Sequence, residues 1–218
     1  MTGGDSSEQW RDSYTRVRKD PFSTVEATNV ERLRRLGTAA LPASSTILDV
    51  GAGDGNLSRS LHALGFTDVI GVEYQPELLG AHPHRERTAV GSAVELPIAG
   101  WSVDAVVVMD VLHHLHQSDV PDALRELLRV LRPGGLLFIC EPAATLTRRV
   151  LNAALQSPLH RISRFSRDKR ALVDAEGQTF VDWLQSERGF PAVVGEAGYV
   201  EEMFERRWLH HFGRWRAP

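Results

Sequence analysis

The chain reads as an α/β protein: a doubly wound, mostly parallel sheet of Rossmann-like form, with helical lid elements. Three observations predict it. Ile47-Leu48-Asp49-Val50 runs straight into Gly51-Ala52-Gly53-Asp54-Gly55, and Asn56 to Leu61 then reads as a helix. Strand-like runs recur at 46–50, 69–73, 86–90, 104–109 and 136–141, separated by helical patterns, the alternation of a parallel sheet with crossover helices. Ala105 to Met109 is continuously apolar, as a central strand covered on both faces requires.

The remaining elements follow in order. Residues 9 to 40 predict two helices divided near Asp20-Pro21, with Ser23 capping the second and Val30, Leu33, Leu36 and Ala40 on its packed face. A helix over about 119–131 takes Ser118 or Asp119 as its cap and Pro121 in its first turn. It buries Leu124, Leu127, Leu128 and Leu131 and stops at Arg132-Pro133-Gly134-Gly135. Beyond Pro142 the alternation gives way to helical segments, clearest at 178–187 and in a short helix ending at Ala197-Gly198. Val200, Phe204 and Trp208 fit helical spacing, but the architecture calls for a strand after Tyr199. The chain of 218 residues is thus expected to form one domain. N-terminal helices occupy 1–40, a cofactor-binding core 41–142, a helical lid and substrate region 143–198, and a C-terminal strand and tail 199–218.

Composition narrows the classes. Apolar residues at 42% supply a core, and a net charge of −3 provides no global basic field for nucleic acid. The start, Met1 to Glu8, is polar and acidic, unlike a signal peptide, and no window approaches eighteen apolar residues. A cytoplasmic protein that does not cross a membrane is expected, monomeric or homodimeric. The lone Cys140 lies in an apolar run, where cysteine acts as a small buried hydrophobe. Seven basic residues between Arg148 and Arg170 face a single Asp168, either as a solvated helical face or as a patch toward a polar substrate.

The glycine spacing sharpens the reading. A dinucleotide fingerprint needs G-x-G-x-x-G, but its third glycine would fall on Asn56; the run is G-x-G-x-G with Asp49 two residues before it. That run resembles the first motif of class I S-adenosylmethionine-dependent methyltransferases of small-molecule type. The similarity continues through Val69-Ile70-Gly71-Val72-Glu73, Gly91 to Pro97, Val103 to Leu115 and Leu128 to Gly135. The resemblance implies S-adenosylmethionine as cofactor and S-adenosylhomocysteine as product. It assigns cofactor contacts to Asp49, Gly51, Ala52, Gly53 and Gly55, to Glu73 through the ribose hydroxyls, and to Tyr74. Ser92, Ala93 and Val94 would lie beside the adenine, and Asp110 and Val111 would follow strand four. Ser92 stands where the family usually has an acid, and the family's closing reversed hairpin has room here for about one strand, so the sheet is expected to be one short.

Methyl transfer from a sulfonium is an in-line displacement, so positioning supplies much of the acceleration, roughly 7–11 kcal/mol in favourable cases. His114, His113 and Glu141 are the catalytic candidates, since a histidine tuned near neutrality can take a proton from an oxygen or nitrogen nucleophile. Each can equally be a structural loop residue. Asp110, His113, His114 and Glu141 are metal-ligand types without a diagnostic spacing, so no metal is expected. The predicted activity is methylation of an O or N atom of a small-molecule acceptor, with Trp10, Tyr14, Phe165, Phe180 and Trp183 as candidate pocket walls. The alternatives are a methyltransferase acting on RNA or protein, or a non-methylating relative that keeps the cofactor site.

Overall fold

A computed structural model describes residues 25–156 and 177–218. Helix α1 is Val25–Leu36, followed by strand β1 (Thr46–Val50), helix α2 (Asn56–Ala63), strand β2 (Asp68–Glu73) and strand β3 (Thr88–Val90). Then come strand β4 (Val103–Met109), helix α3 (Val120–Val130), strand β5 (Leu131–Pro142) and helix α4 (Leu146–Gln156). A helical stretch α5 covers 177–186, ahead of helix α6 (Phe190–Glu196), strand β6 (Val200–Arg207) and strand β7 (His210–Arg216).

The seven strands form one sheet in the order β3-β2-β1-β4-β5-β7-β6. Strands β1 to β5 are mutually parallel and β7 alone is reversed. The expectation of a missing strand is therefore corrected. Residues 200–216 hold two strands, not one, because Trp208-Leu209 makes a two-residue reversal in which Trp208 takes φ +52°.

Pleat alternation divides the core into two layers. On one face Leu48, Val50, Val106, Val108, Leu137 and Ile139 pack with α3 and α6, and Trp183, Phe190 and Trp215 complete that cluster. On the other face Ile47, Ala105, Val107, Phe138 and Cys140 pack with α1 and α2 through Leu33, Leu36, Leu57 and Leu61. Burial of both faces is why β4 reads as an unbroken apolar run. Helix α3 ends one residue earlier than the turn signal predicts. The strand starts at Leu131, and a register break between the Val103–Leu131 and Ala105–Leu136 pairs absorbs Arg132 to Gly135. Trp10, Tyr14, Ser23, Phe165 and the basic residues from Arg161 to Arg170 lie outside the described residues.

Candidate functional site

Parallel pairing puts the carboxyl ends of β1, β2, β4 and β5 on one edge, so most of the candidate residues arrive there together. The chain passes outward from β1 to β2 and β3, then returns to β4 on the other side of β1. The loops after β1 and β4 thus diverge and leave the crevice in which doubly wound sheets bind ligands.

Gly51, Gly53 and Gly55 all have positive φ, +77°, +54° and +82°, a conformation costly for residues with a Cβ. At Gly51 a Cβ would also stand 2.4 Å from Val111 Cγ2, so the β1 loop and the β4 loop touch at the switch point. Gly55 starts α2 from the left-handed region. The Gly51 and Ala52 amides donate to the Val72 carbonyl at 2.8 and 3.1 Å, pinning the turn to the end of β2.

Glu73 ends β2 and is buried. Its Oε2 accepts the Gly53 amide at 2.9 Å and its Oε1 the Gln75 amide at 2.8 Å. One carboxylate therefore ties the glycine turn to the chain leaving β2. Tyr74 beside it is exposed. After β3, Ser92 Oγ accepts the Val94 amide at 3.3 Å and a Ser92–Glu95 bridge closes a small turn, with Ala93 buried and Val94 exposed.

The β4 end carries most of the charge. Asp110 adopts φ +56°, a region that Asp tolerates better than most residues. Its Oδ2 accepts Arg32 Nη1 at 2.7 Å, and His210 Nε2 lies 3.5 Å from Oδ1 and 3.1 Å from Arg32 Nη2. Burial opposes the charge, but Arg32, His210 and His113 outweigh it and hold the Asp110 carboxyl well below its usual range. The Cys140 thiol is driven well above its ordinary value by burial, then by Asp110, consistent with an inert core cysteine.

Glu141 is fully buried at the end of β5. Oε1 accepts the Val111 and Leu112 amides at 2.7 and 2.9 Å, and Oε2 lies 2.7 Å from His113 Nδ1. Burial, and after it Asp110, pushes Glu141 up to about 7 against those two amide bonds. Burial lowers His113 to about 4. Burial and then His113 lower His114 to about 3. Both imidazoles are neutral at physiological pH. Among the described residues no group of three or more His, Cys, Asp or Glu side chains is arranged to hold a metal ion.

A family model described as a methyltransferase domain matches residues 48–139. A demethylmenaquinone methyltransferase from Parafrankia is 28% identical over 217 residues, covering 88% of this chain and 82% of that protein. An uncharacterized methyltransferase from Mycobacterium tuberculosis is 41% identical over 101 residues, spanning 44% of this chain and 40% of its own length. The solved S-adenosylmethionine-dependent methyltransferase of Aquifex aeolicus shares the fold at TM-score 0.64 and 17% identity, over 99% of this chain and 100% of that one. Together these matches support a class I S-adenosylmethionine-dependent methyltransferase.

S-adenosylmethionine is accordingly the cofactor of this methyltransferase, and the structure accommodates it. A turn built on three left-handed glycines and a buried carboxylate bonded to its central amide stand together at the switch point. A surface cleft of about 560 Å3 beside Trp101, Arg129 and Pro218 lies on the opposite amino edge of the sheet. In a doubly wound sheet the ligand crevice is expected at the carboxyl edge, away from this cleft.

Several residues of the methyltransferase edge escaped the sequence reading. Arg32 and His210 reach Asp110 from α1 and β7, sequence separations of 78 and 100 residues that no local pattern encodes. Ser58 Oγ donates to the buried Asp49 Oδ2 at 2.7 Å, and His82 Nε2 lies 3.2 Å behind Ser58. The candidate wall residues Phe180 and Trp183 are buried. Phe180 packs edge-on against His113 with ring centroids 5.6 Å apart, while Trp183 donates to the Pro142 carbonyl at 2.8 Å. Arg148, read above as part of a basic patch, is buried and donates to the Ala143 and Leu209 carbonyls.

Proposed function

We propose that the enzyme methylates an O or N atom of a small-molecule acceptor held against the carboxyl edge of the sheet. The observation that carries this reading is the Glu73 carboxylate fastened to the Gly53 amide. The cofactor supplies an already activated methyl group on a sulfonium, so the chain has to bind, orient and exclude water.

Each Glu73 oxygen accepts one amide here, and a carboxylate has about four acceptor sites, so both oxygens can still receive ribose hydroxyls. In this reading the cofactor lies along the Gly51–Gly55 turn, with Asp49 and its partner Ser58 beneath it. Tyr74 and Val94 offer surface to the adenine beside the buried Ala93, where Ser92 is committed to its own turn. Asp110 and Val111 close the crevice from the β4 side.

Geometry supports positioning roles for Glu141 and His113. The carboxylate holds two amides of the 111–115 loop, and His113 is clamped between Glu141 and Phe180. His114 is the remaining candidate for a group facing the acceptor, but burial and then His113 lower it to about 3, so it is a weak base and not the near-neutral histidine that general-base catalysis favours. The small-molecule class is supported by the Parafrankia relative, named for demethylmenaquinone, whose match covers most of both chains.

Isothermal titration calorimetry with S-adenosylmethionine tests the binding half. Glu73→Ala is expected to weaken affinity at least about tenfold, since charge-assisted hydrogen bonds are worth about 1.5–3 kcal/mol. Unchanged affinity refutes the ribose assignment. Mass spectrometry of cell extracts incubated with labelled cofactor tests the acceptor class. Label confined to RNA or protein fractions overturns the small-molecule reading, and binding without any product favours a non-methylating relative.

A further inference from the structure

His82 lies in the connection between β2 and β3, and no motif above contains it. It is buried, and its ring stands under the start of α2, where a Cβ on Gly55 would meet His82 Cδ2 at 2.7 Å and Nε2 at 2.9 Å. From the other side a Cβ on Gly71 would lie 3.5 Å from Nε2. The imidazole is thus a strut wedged between the glycine turn, the middle of β2 and α2.

Its hydrogen bonds have a defined direction. The His84 amide is a donor, 3.1 Å from His82 Nδ1, so Nδ1 must be a bare acceptor. The Ser58 hydroxyl has a single proton and points it at Asp49 Oδ2, 2.7 Å away. Towards His82 Nε2, at 3.2 Å, Ser58 can therefore only accept, so Nε2 carries the proton. Two independent contacts require the same neutral tautomer. A second proton on Nδ1 would set two donors against each other at the His84 amide.

We propose that His82 is a positioning residue for the cofactor loop: its neutral ring, through Ser58 to Asp49, holds the Gly51–Gly55 turn in the form that accepts S-adenosylmethionine. This rests on the cofactor site described above. Burial, followed by the His84 and Arg59 charges, depresses the His82 pKa from 6.5, against the opposing pull of Asp54 and Glu86. Asp49 lies behind Ser58 as the last charged group of the relay. The neutral form is the binding form, so cofactor affinity is steady above the ordinary histidine range and falls as pH drops through the lowered value.

Calorimetric titration of wild type, His82→Gln, His82→Leu and His84→Gln with S-adenosylmethionine, from about pH 8 to about pH 5.5, tests the relay. Gln retains a donor near the Nε2 position and does not titrate. Wild type and His84→Gln should lose affinity on acidification, the loss steepening toward about tenfold per pH unit once the pH is below the lowered His82 value. His82→Gln should bind close to wild type at the alkaline end and stay flat, while His82→Leu, with folding checked by circular dichroism, should bind at least about tenfold more weakly throughout. In the ligand-free protein, nitrogen-15 NMR should report a bare Nδ1 and a protonated Nε2 on His82. A flat wild-type profile, a His82→Gln profile that keeps the wild-type slope, or the opposite tautomer overturns the relay while leaving the cofactor site standing. Absence of binding heat from wild type at every pH overturns both.

Discussion

At the scale of single residues, left-handed glycines and buried titratable groups decide how the site behaves. Gly51 combines φ +77° with a contact to Val111 that leaves no room for a side chain. Gly51→Val should cost about 1–3 kcal/mol from the backbone conformation alone and remove cofactor binding. Chemical denaturation and calorimetry on the ligand-free variant check both effects, and a stable variant with wild-type affinity would refute the close approach. The buried imidazoles make a second prediction. His113 and His114 have folded-state values near 4 and 3, and His82 is also depressed, so the native state holds fewer of their protons than the unfolded chain below about pH 6.5. Glu141, raised to about 7, works the other way between 4.5 and 7, because its native form holds the extra proton. The histidines outnumber it. Stability should therefore decline as pH falls from about 6.5 to about 4.5, by roughly 1.4 kcal/mol per unit for each net proton. Urea midpoints across that range test the sign, and His114→Gln should make the decline shallower.

At the scale of elements, the C-terminal hairpin shows how a strand invisible to periodicity is held. Strand β7 pairs with β5 on one side and β6 on the other, and its Gly213 lies beneath the Trp215 indole, where a Cβ would stand 1.9 Å from Cη2. Gly213 and Trp215 are two residues apart on one strand face, so the ring folds over the glycine and fills the core beside Phe190 and Phe204. Gly213→Ala forces the indole out of a packed layer and should destabilise the protein by about 1–3 kcal/mol. A denaturation midpoint like that of wild type counts against this packing. The same hairpin brings His210 to Asp110 and sets His211 opposite Glu141 in register. Its buried anchor is Glu187, in the turn before α6, which accepts the Ala144 amide at 3.1 Å and bonds Arg206, fastening that turn to β6 and to the chain leaving β5.

At the scale of the whole molecule, the reversed strand joins the edge strand β6 to β5 and adds to both core layers, Trp215 to one and Phe212 to the other. A chain shortened to end at Gly198 leaves β5 as a bare edge and both layers open. It should lose cooperative unfolding, as circular dichroism and denaturant titration would show. Much of this architecture was legible beforehand. The run Ile47 to Gly55 needs only neighbours in sequence to declare a strand, a left-handed turn and a helix start, and β1 was bounded to the residue. β4 was equally plain because both its faces are covered. The hairpin was not, since Val200, Phe204 and Trp208 mimic helical spacing and only pairing with β5 makes 210–216 a strand. Side-chain partners were hidden for the same reason: nothing near Asp110 in sequence announces Arg32 or His210, and nothing near Asp49 announces His82. By itself, the sequence determined the glycine turn and the parallel core, because local backbone preference and hydrophobic period act over a few residues. Tertiary structure alone decided the seventh strand and the polar partners of each buried carboxylate, because those depend on which distant segments the sheet brings within about 3 Å of one another.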